Sequence, residues 1–382
     1  MTRRLVVAHP STELYGSDLQ LVESVAAAVG AGWEVLAVLP GDGPLAERLT
    51  AAGATVRLAP FPVLRKSLLT PRGLAALSVT MARSTWQTAR WLRRSHVDAV
   101  YVNTLTIPSW IVAARAARVP VVCHVHEAEE DQSTVITAGL TAPLLLAHRI
   151  IANSEASRRA TGRAIDALGR RTTVVHNGVP GPPEPPVVRS RVPGAPLRLV
   201  LVGRLSPRKG SDVAVSAVAE LVDRGHDVVL RLAGDVFEGY EWFREQLREQ
   251  IVRDHLEDRV ELLGFVHPTW PELADADVVL VPSLVEPFGN TAVEALLAGR
   301  PVVASNTQGL AEIVRDGDNG LLVPPGDVHA LASAVARLDD DPGLAADLAR
   351  HGLVDASARF SRERYANQIV TILESLRSRP AR

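Results

Sequence analysis

"DVVLVPSLVEPFGNTAVEALLAGRPVVAS", residues 277–305, holds a strand, a turn, a helix and a second strand in one stretch. "DVVLVPS" is a continuous apolar run without alternation, the pattern of a parallel strand covered on both faces. Pro287-Phe288-Gly289 interrupts any helix, Asn290 reads as the N-cap of "TAVEALLA", and Gly299 ends that helix. "RPVVAS" then restarts a strand. Strand–helix–strand repetition of this kind implies a doubly wound sheet.

The same alternation runs through the rest of the chain. "RRLVVAHP", "WEVLAVLP", "TVRLAP", "VDAVYVNT", "VPVVCHVH", "HRIIANS" and "RTTVVHNGV" are strand-like before residue 180. "LRLVLVGR", "DVVLRLAGD", "RVELLGFV", "DVVLVPS", "RPVVAS" and "GLLVPP" follow after 197. Between them "PGPPEPPVVRSRVPGAP", spanning 180–196, is too rich in proline for a regular element. The expected organisation is therefore two similar α/β domains, 1–180 and 197–360, joined by a linker at 181–196. A terminal helical segment, 361–382, is expected to cross back to the first domain.

Composition narrows the function classes. The 382 residues suffice for two domains with real cores, and 41 basic against 43 acidic residues leave no global footprint for nucleic acid. The lone Cys123 excludes an internal disulfide framework and fits a reducing cytoplasm. The apolar run near the N-terminus is shorter than a signal peptide needs, and no stretch approaches the about 20 apolar residues of a membrane span. A cytoplasmic location is expected.

Ligands of doubly wound sheets bind beyond the carboxyl ends of the strands. Glu286 follows such a strand, and Glu294 lies in the first turns of the next helix, whose N-terminal N–H groups and dipole favour an anion such as phosphate. Two readings fit these carboxylates: acceptors for paired hydroxyls of a sugar and a ribose, or an acidic helix start that complements the dipole. Arg204 and Lys209, after the strand "LRLVLVG", suit a diphosphate, or form a solvated basic loop. No Walker loop or Gly-x-Gly-x-x-Gly occurs, and the histidines lack zinc-like spacing. "DDD" at 339–341 precedes Pro342 as ordinary helix-end chemistry.

Residues 276–327, with their Glu-x7-Glu pattern, together with "VGRLSPRKG", "IIANSEASR", "VVHNGVP" and "VPVVCHVHE" in this order, resemble the retaining nucleotide-sugar glycosyltransferases of family 4. The resemblance covers nearly the whole chain. It implies the GT-B architecture, two doubly wound, parallel-sheet Rossmann-like domains facing a central cleft. It implies that Glu286 meets hydroxyls of the transferred sugar, and that Glu294 binds the ribose. By the same likeness, backbone near Phe288, Gly289, Asn290 and Thr291 holds the distal phosphate, Arg204 and Lys209 bind the diphosphate, and Gly264, Phe265 and Val266 wall the base. His126 matches the family histidine near the reacting sugar, although His124 shares its strand-face parity. Gly16 matches a glycine that lets backbone approach the donor phosphate. Family members often carry two glycines there, so Tyr15, Ser17 and Asp18 are expected to shape a different acceptor subsite. Glu127, in "EAEED", is either a further acceptor-side residue or part of a solvated acidic loop.

The implied activity is transfer of a hexose from a UDP- or GDP-sugar to a hydroxyl of a glycan, glycolipid or small molecule, with retention and without metal or cofactor. A nucleotide-sugar 2-epimerase of the same fold, or an inactive sugar-nucleotide-binding subunit, are the alternatives. Between Arg48 and Val97 there is no acidic residue, while Arg65, Lys66, Arg72, Arg83, Arg90, Arg93 and Arg94 accumulate around Trp86 and Trp91. Residues 65–94 thus offer a basic face for peripheral contact with an anionic membrane, or a surface helix packing Leu74, Leu77 and Met81 on the sheet.

Overall fold

The protein is described by a computed structural model covering residues 3–64, 71–128, 133–189 and 194–376. It forms two compact units, one of Met1–Gly178 with Arg362–Arg382 and the other of Val179–Ser361.

The first unit is built on seven parallel strands: β1 (Arg3–Ala8), β2 (Trp33–Leu39), β3 (Thr55–Leu58), β4 (Ala99–Val102), β5 (Val121–Val125), β6 (Arg149–Ala152) and β7 (Thr172–Val174). Their order is β3-β2-β1-β4-β5-β6-β7, so the winding reverses between β1 and β4. Every residue of β4 and β5 is buried, which is why their sequences are dominated by apolar residues, His124 in β5 being the exception. Leu5 and Val7 pack on one face against Leu21 and Val25, while Val6 and Ala8 face Trp110 and Ile111 on the other. Each buried Leu, Val or Ile among them contributes roughly 1.5–3 kcal/mol by leaving water.

The helix Arg362–Ser375 belongs to this unit, burying Tyr365, Ile369 and Leu373 in the same core as Leu21. Tyr365 lies against Gly178, where an added Cβ would stand 2.5 Å from the tyrosine Cβ. Its hydroxyl meets Ser24 Oγ at 2.5 Å. Residues 377–382 of the expected terminal segment lie outside the described residues.

The second unit repeats the plan with six parallel strands: β8 (Leu197–Val202), β9 (Val228–Ala233), β10 (Val260–Gly264), β11 (Val278–Val281), β12 (Val302–Ser305) and β13 (Leu321–Val323). Their order, β10-β9-β8-β11-β12-β13, reverses between β8 and β11. Leu199 and Leu201 bury one face with Val215 and Val218, and Val200 and Val202 bury the other with Val293 and Leu296.

Of the proline-rich stretch, 190–193 lie outside the described residues, and its earlier part is fastened to the second unit. Arg300, only 4% exposed, donates to the carbonyls of Val187 (2.7 Å), Leu273 (3.0 Å), Ala274 (2.7 Å) and Gly299 (3.1 Å). That fan of carbonyls offsets the cost of burying the cation. Arg189 joins Asp277 at 2.9 Å.

One sequence expectation is corrected. Gly289, not Asn290, occupies the N-cap position, and the helix runs Asn290–Leu297. Gly289 has φ +119, and a Cβ there would stand 2.6 Å from Leu310 Cδ2, so both backbone conformation and space favour glycine over an asparagine cap.

Among the described residues no helix is long and apolar enough to cross a membrane. Of the basic region, 65–70 lie outside the described residues, including Arg65 and Lys66. The helix Pro71–Arg94 exposes Val79 (71%) and Trp86 (61%), with Arg90 stacked over the Trp86 ring, and buries Leu92.

Candidate active site

In each unit the chemistry gathers where the winding reverses, at the carboxyl ends of two adjacent strands. In the second unit these are β8 and β11, paired through Val278↔Leu199 and Val279↔Val200. The chain leaving β8 passes Arg204 and a helical turn at Pro207–Lys209, then turns at Gly210 into the helix Ser211–Asp223. Gly210 has φ +67, and any Cβ would fall 2.2 Å from the Pro282 carbonyl oxygen. Only glycine lets this turn press so closely on the loop after β11. The two loops are also joined by Leu284 N–H donating to the Arg208 carbonyl at 2.8 Å.

This contact brings Lys209 Nζ directly onto Glu286 Oε2. Ser283 Oγ donates to the same oxygen at 3.4 Å, and the Gly309 N–H holds the Glu286 carbonyl at 3.0 Å. Glu294 lies in the second turn of the helix Asn290–Leu297, accepting from Thr269 Oγ1 at 3.4 Å. Desolvation pushes its carboxyl up to about 7, against the opposing pull of the Thr269 hydroxyl and the Lys209 ammonium. Lys209 therefore acts electrostatically on both glutamates. Thr291 Oγ1 donates to the Val202 carbonyl at 3.3 Å, tying the helix start to the end of β8.

The other sequence-predicted residues divide by what they expose. Arg204 is half-buried and stacks on the Phe237 ring. Phe288 is buried edge-on against Phe360, so its side chain is core and only its backbone can serve a ligand. Gly264 ends β10 with φ +72, Phe265 is 61% exposed, and Val266 packs partly into the core.

In the first unit β1 and β4 deliver His9 and Asn103, and the neighbouring β5 delivers His126. His126 Nε2 lies 2.9 Å from Asn103 Oδ1, and its ring centroid is 4.0 Å from that of His124. Burial holds His126 well below its ordinary value, helped by His124 and His9. His124 is fully buried, bonded through Nδ1 to Tyr101 Oη at 2.6 Å, and pushed down to about 3 by burial. The parity that sequence left ambiguous is thus resolved by depth: His124 is core, His126 half-buried.

Gly16 opens the helix Gly16–Gly30, with Tyr15 in the N-cap position. Asp18 is only 2% exposed and bonds His9 Nε2 at 2.6 Å and the Tyr15 N–H at 2.9 Å. Ser17 accepts from Asn103 Nδ2 through its carbonyl at 3.3 Å. Glu127 accepts from Thr104 Oγ1, from Leu105 N–H at 3.3 Å and from His126 N–H at 2.9 Å, while burial raises its carboxyl. It ties β5 to the loop after β4. Glu129, Glu130 and Asp131 of the acidic cluster lie outside the described residues.

Sequence reading missed His9, Asn103, Ser283, Thr269 and Phe237. His9, Asn103 and Ser283 stand directly beyond strands, so the strand-end rule applied to every strand would have found them. Among the described residues one group could hold a metal ion: His226, Asp339 and Asp340, with ligand atoms within 4.8 Å of one another. Asp341 accepts from the Leu344 N–H at 2.9 Å and so caps the helix Pro342–Arg359.

The family described as glycosyltransferase family 4 matches residues 16–180, and glycosyl transferases group 1 matches 196–341. Phosphatidyl-myo-inositol mannosyltransferase of Mycobacterium leprae is 31% identical over 373 residues, 94% of this chain and 91% of that protein. Alpha-D-kanosaminyltransferase of Streptomyces kanamyceticus is 32% identical over 180 residues, and there the match spans less than half of either protein, 47% of this chain and 45% of the relative. The crystal structure of Anabaena HepE with UDP-glucose has a TM-score of 0.80 at 27% identity, covering 97% of this chain and 99% of that one. Two Rossmann-like units with chemistry at both winding reversals, and relatives matched over nearly the full length, place this chain in glycosyltransferase family 4, with the GT-B fold.

Proposed function

We propose that the protein transfers a hexose from a nucleoside diphosphate sugar to a hydroxyl acceptor with retention of configuration. The observation that carries this reading is the Lys209–Glu286 pair at the β8/β11 reversal, with Glu294 inside the field of the same ammonium. A carboxylate held by a cation beside a helix N-terminus suits a ligand with vicinal hydroxyls at one end and a diphosphate at the other. The HepE complex supports a UDP-sugar donor. In the proposed reaction the bond from the sugar's anomeric carbon to the diphosphate oxygen breaks, and the acceptor oxygen bonds to that carbon on the same face. The acceptor proton passes to the departing phosphate oxygen. Arg204, Lys209 and the N–H groups of Asn290 and Thr291 stabilise the charge that develops there, with no metal required.

The test is incubation of UDP- and GDP-hexoses with hydroxyl acceptors, followed by NMR of the product's anomeric proton, with and without chelator. Retention, unaffected by chelator, is expected. An inverted product would overturn the mechanism, and an epimerised nucleotide sugar formed without acceptor would overturn the class.

A cytoplasmic site of action is part of this reading, as is peripheral contact with an anionic membrane through 65–94. The exposed Val79 and Trp86, on a helix bearing Arg83, Arg90, Arg93 and Arg94, support that contact. Anionic vesicles should sediment the protein at low salt and release it at high salt; no sedimentation at low salt would refute the contact.

A further inference from the structure

The proton positions around His126 follow from one group that cannot donate. The Ser17 carbonyl only accepts, and it lies 3.3 Å from Asn103 Nδ2, so the amide nitrogen of Asn103 must point this way. The same NH2 reaches His9 Nδ1 at 3.1 Å, which makes that ring nitrogen the lone-pair bearer. His9 then carries its proton on Nε2 and donates it to Asp18 Oδ1 at 2.6 Å. The other Asp18 oxygen accepts from the Tyr15 N–H at 2.9 Å. On the far side of the amide, Asn103 Oδ1 is left as an acceptor 2.9 Å from His126 Nε2. His126 must therefore hold its proton on Nε2. His9, Asp18 and Asn103 are 2%, 2% and 0% exposed, so solvent offers no competing partners. Among the described residues, none engages His126 Nδ1 by a hydrogen bond.

We propose that Asn103, anchored through His9 to Asp18, is a positioning residue that fixes His126 as the neutral Nε2–H tautomer and leaves Nδ1 as a hydrogen-bond acceptor for a substrate hydroxyl. The tautomer rests on the geometry alone; what Nδ1 meets rests on the sugar-transfer reading above. The arrangement has a consequence for specificity. An acceptor-only nitrogen binds O–H and N–H groups and repels carboxylate or phosphate oxygens, so this histidine addresses a sugar or alcohol hydroxyl rather than the diphosphate. Burial, which holds the imidazole well below its usual pKa, keeps it from becoming a double donor near neutrality.

The test uses the full-length protein labelled with 15N-histidine and a long-range 1H–15N correlation, with the His126 signals assigned by their loss in His126→Gln. Wild type should show His126 as the pure neutral Nε2–H tautomer between about pH 6 and 8. Asn103→Ala should bring in the Nδ1–H form of His126 and lower kcat roughly tenfold with little change in donor KM, the scale of one misdirected hydrogen bond. A wild-type His126 with its proton on Nδ1, or a mixture of forms, overturns the proposal, as does an unchanged His126 signal in Asn103→Ala. The wild-type spectrum decides the matter even if the variant does not fold. The assigned tautomer without transfer from any donor would remove the sugar-transfer reading and leave this assignment standing.

Discussion

Lys209→Ala is expected to lower transfer by about 10²–10³ while the protein remains folded, and Glu286→Ala to do the same. The two side chains form one ion pair, and on the proposed function each truncation removes a donor contact together with its partner's orientation. Removing one preorganised charged group from a site that stabilises developing charge lowers turnover by about 10²–10³. The fold should persist because the loops carrying both residues are held independently. Leu284 N–H bonds the Arg208 carbonyl at 2.8 Å, and Gly309 N–H bonds the Glu286 carbonyl at 3.0 Å. Neither bond involves the truncated side chains. Steady-state turnover alongside circular dichroism and thermal unfolding checks this. Wild-type turnover in either variant would remove the pair from the mechanism.

Donor affinity is expected to rise with pH up to about 7, and Glu294→Gln to abolish that rise. The Glu294 carboxyl is pushed up to about 7 by desolvation in the free protein. A ribose that donates two hydroxyls needs the ionised form, so below that value binding must first release a proton. Affinity should then climb about tenfold per pH unit and level off above 7. The same shift has an opposite signature in stability without donor. The folded state binds this proton more tightly than the unfolded chain, whose ordinary value is 4.5. The resulting stabilisation is complete below 4.5 and is lost as pH rises through about 7. Calorimetric titration of a nucleoside diphosphate against pH, with denaturant unfolding of the free protein, reads both slopes. Affinity independent of pH in wild type would show that Glu294 does not accept from the donor as carboxylate.

Much of the fold was legible because the local chemistry speaks for itself. Parallel strands covered on both faces are buried along their whole length, as β4, β5, β11 and β12 are, and so are dominated by apolar residues that make each strand visible as a run. Arg204, Lys209 and Glu286 stand out in the sequence because they lie in the loops after such runs, and Glu294 because it lies in the helix that the next turn starts. The N-cap was misread because Asn290 has better capping chemistry than Gly289. What decided that position was the φ of +119 and the Leu310 side chain, which lies far along the chain.

Alone, the sequence determined the succession of strands and helices, the two-unit plan and the residue types standing at strand ends, since each depends on spacing within a few turns. Only the tertiary structure decided which of those ends meet. Strand order sets β1 beside β4 and β8 beside β11, pairing Leu5 with Ala99 and Leu199 with Val278 across 94 and 79 positions of chain. That pairing places Lys209 on Glu286 and Asn103 between His9 and His126. Hydrogen-bond partners so far apart leave no periodicity to read, and the direction of a proton in a buried chain depends on every partner at once.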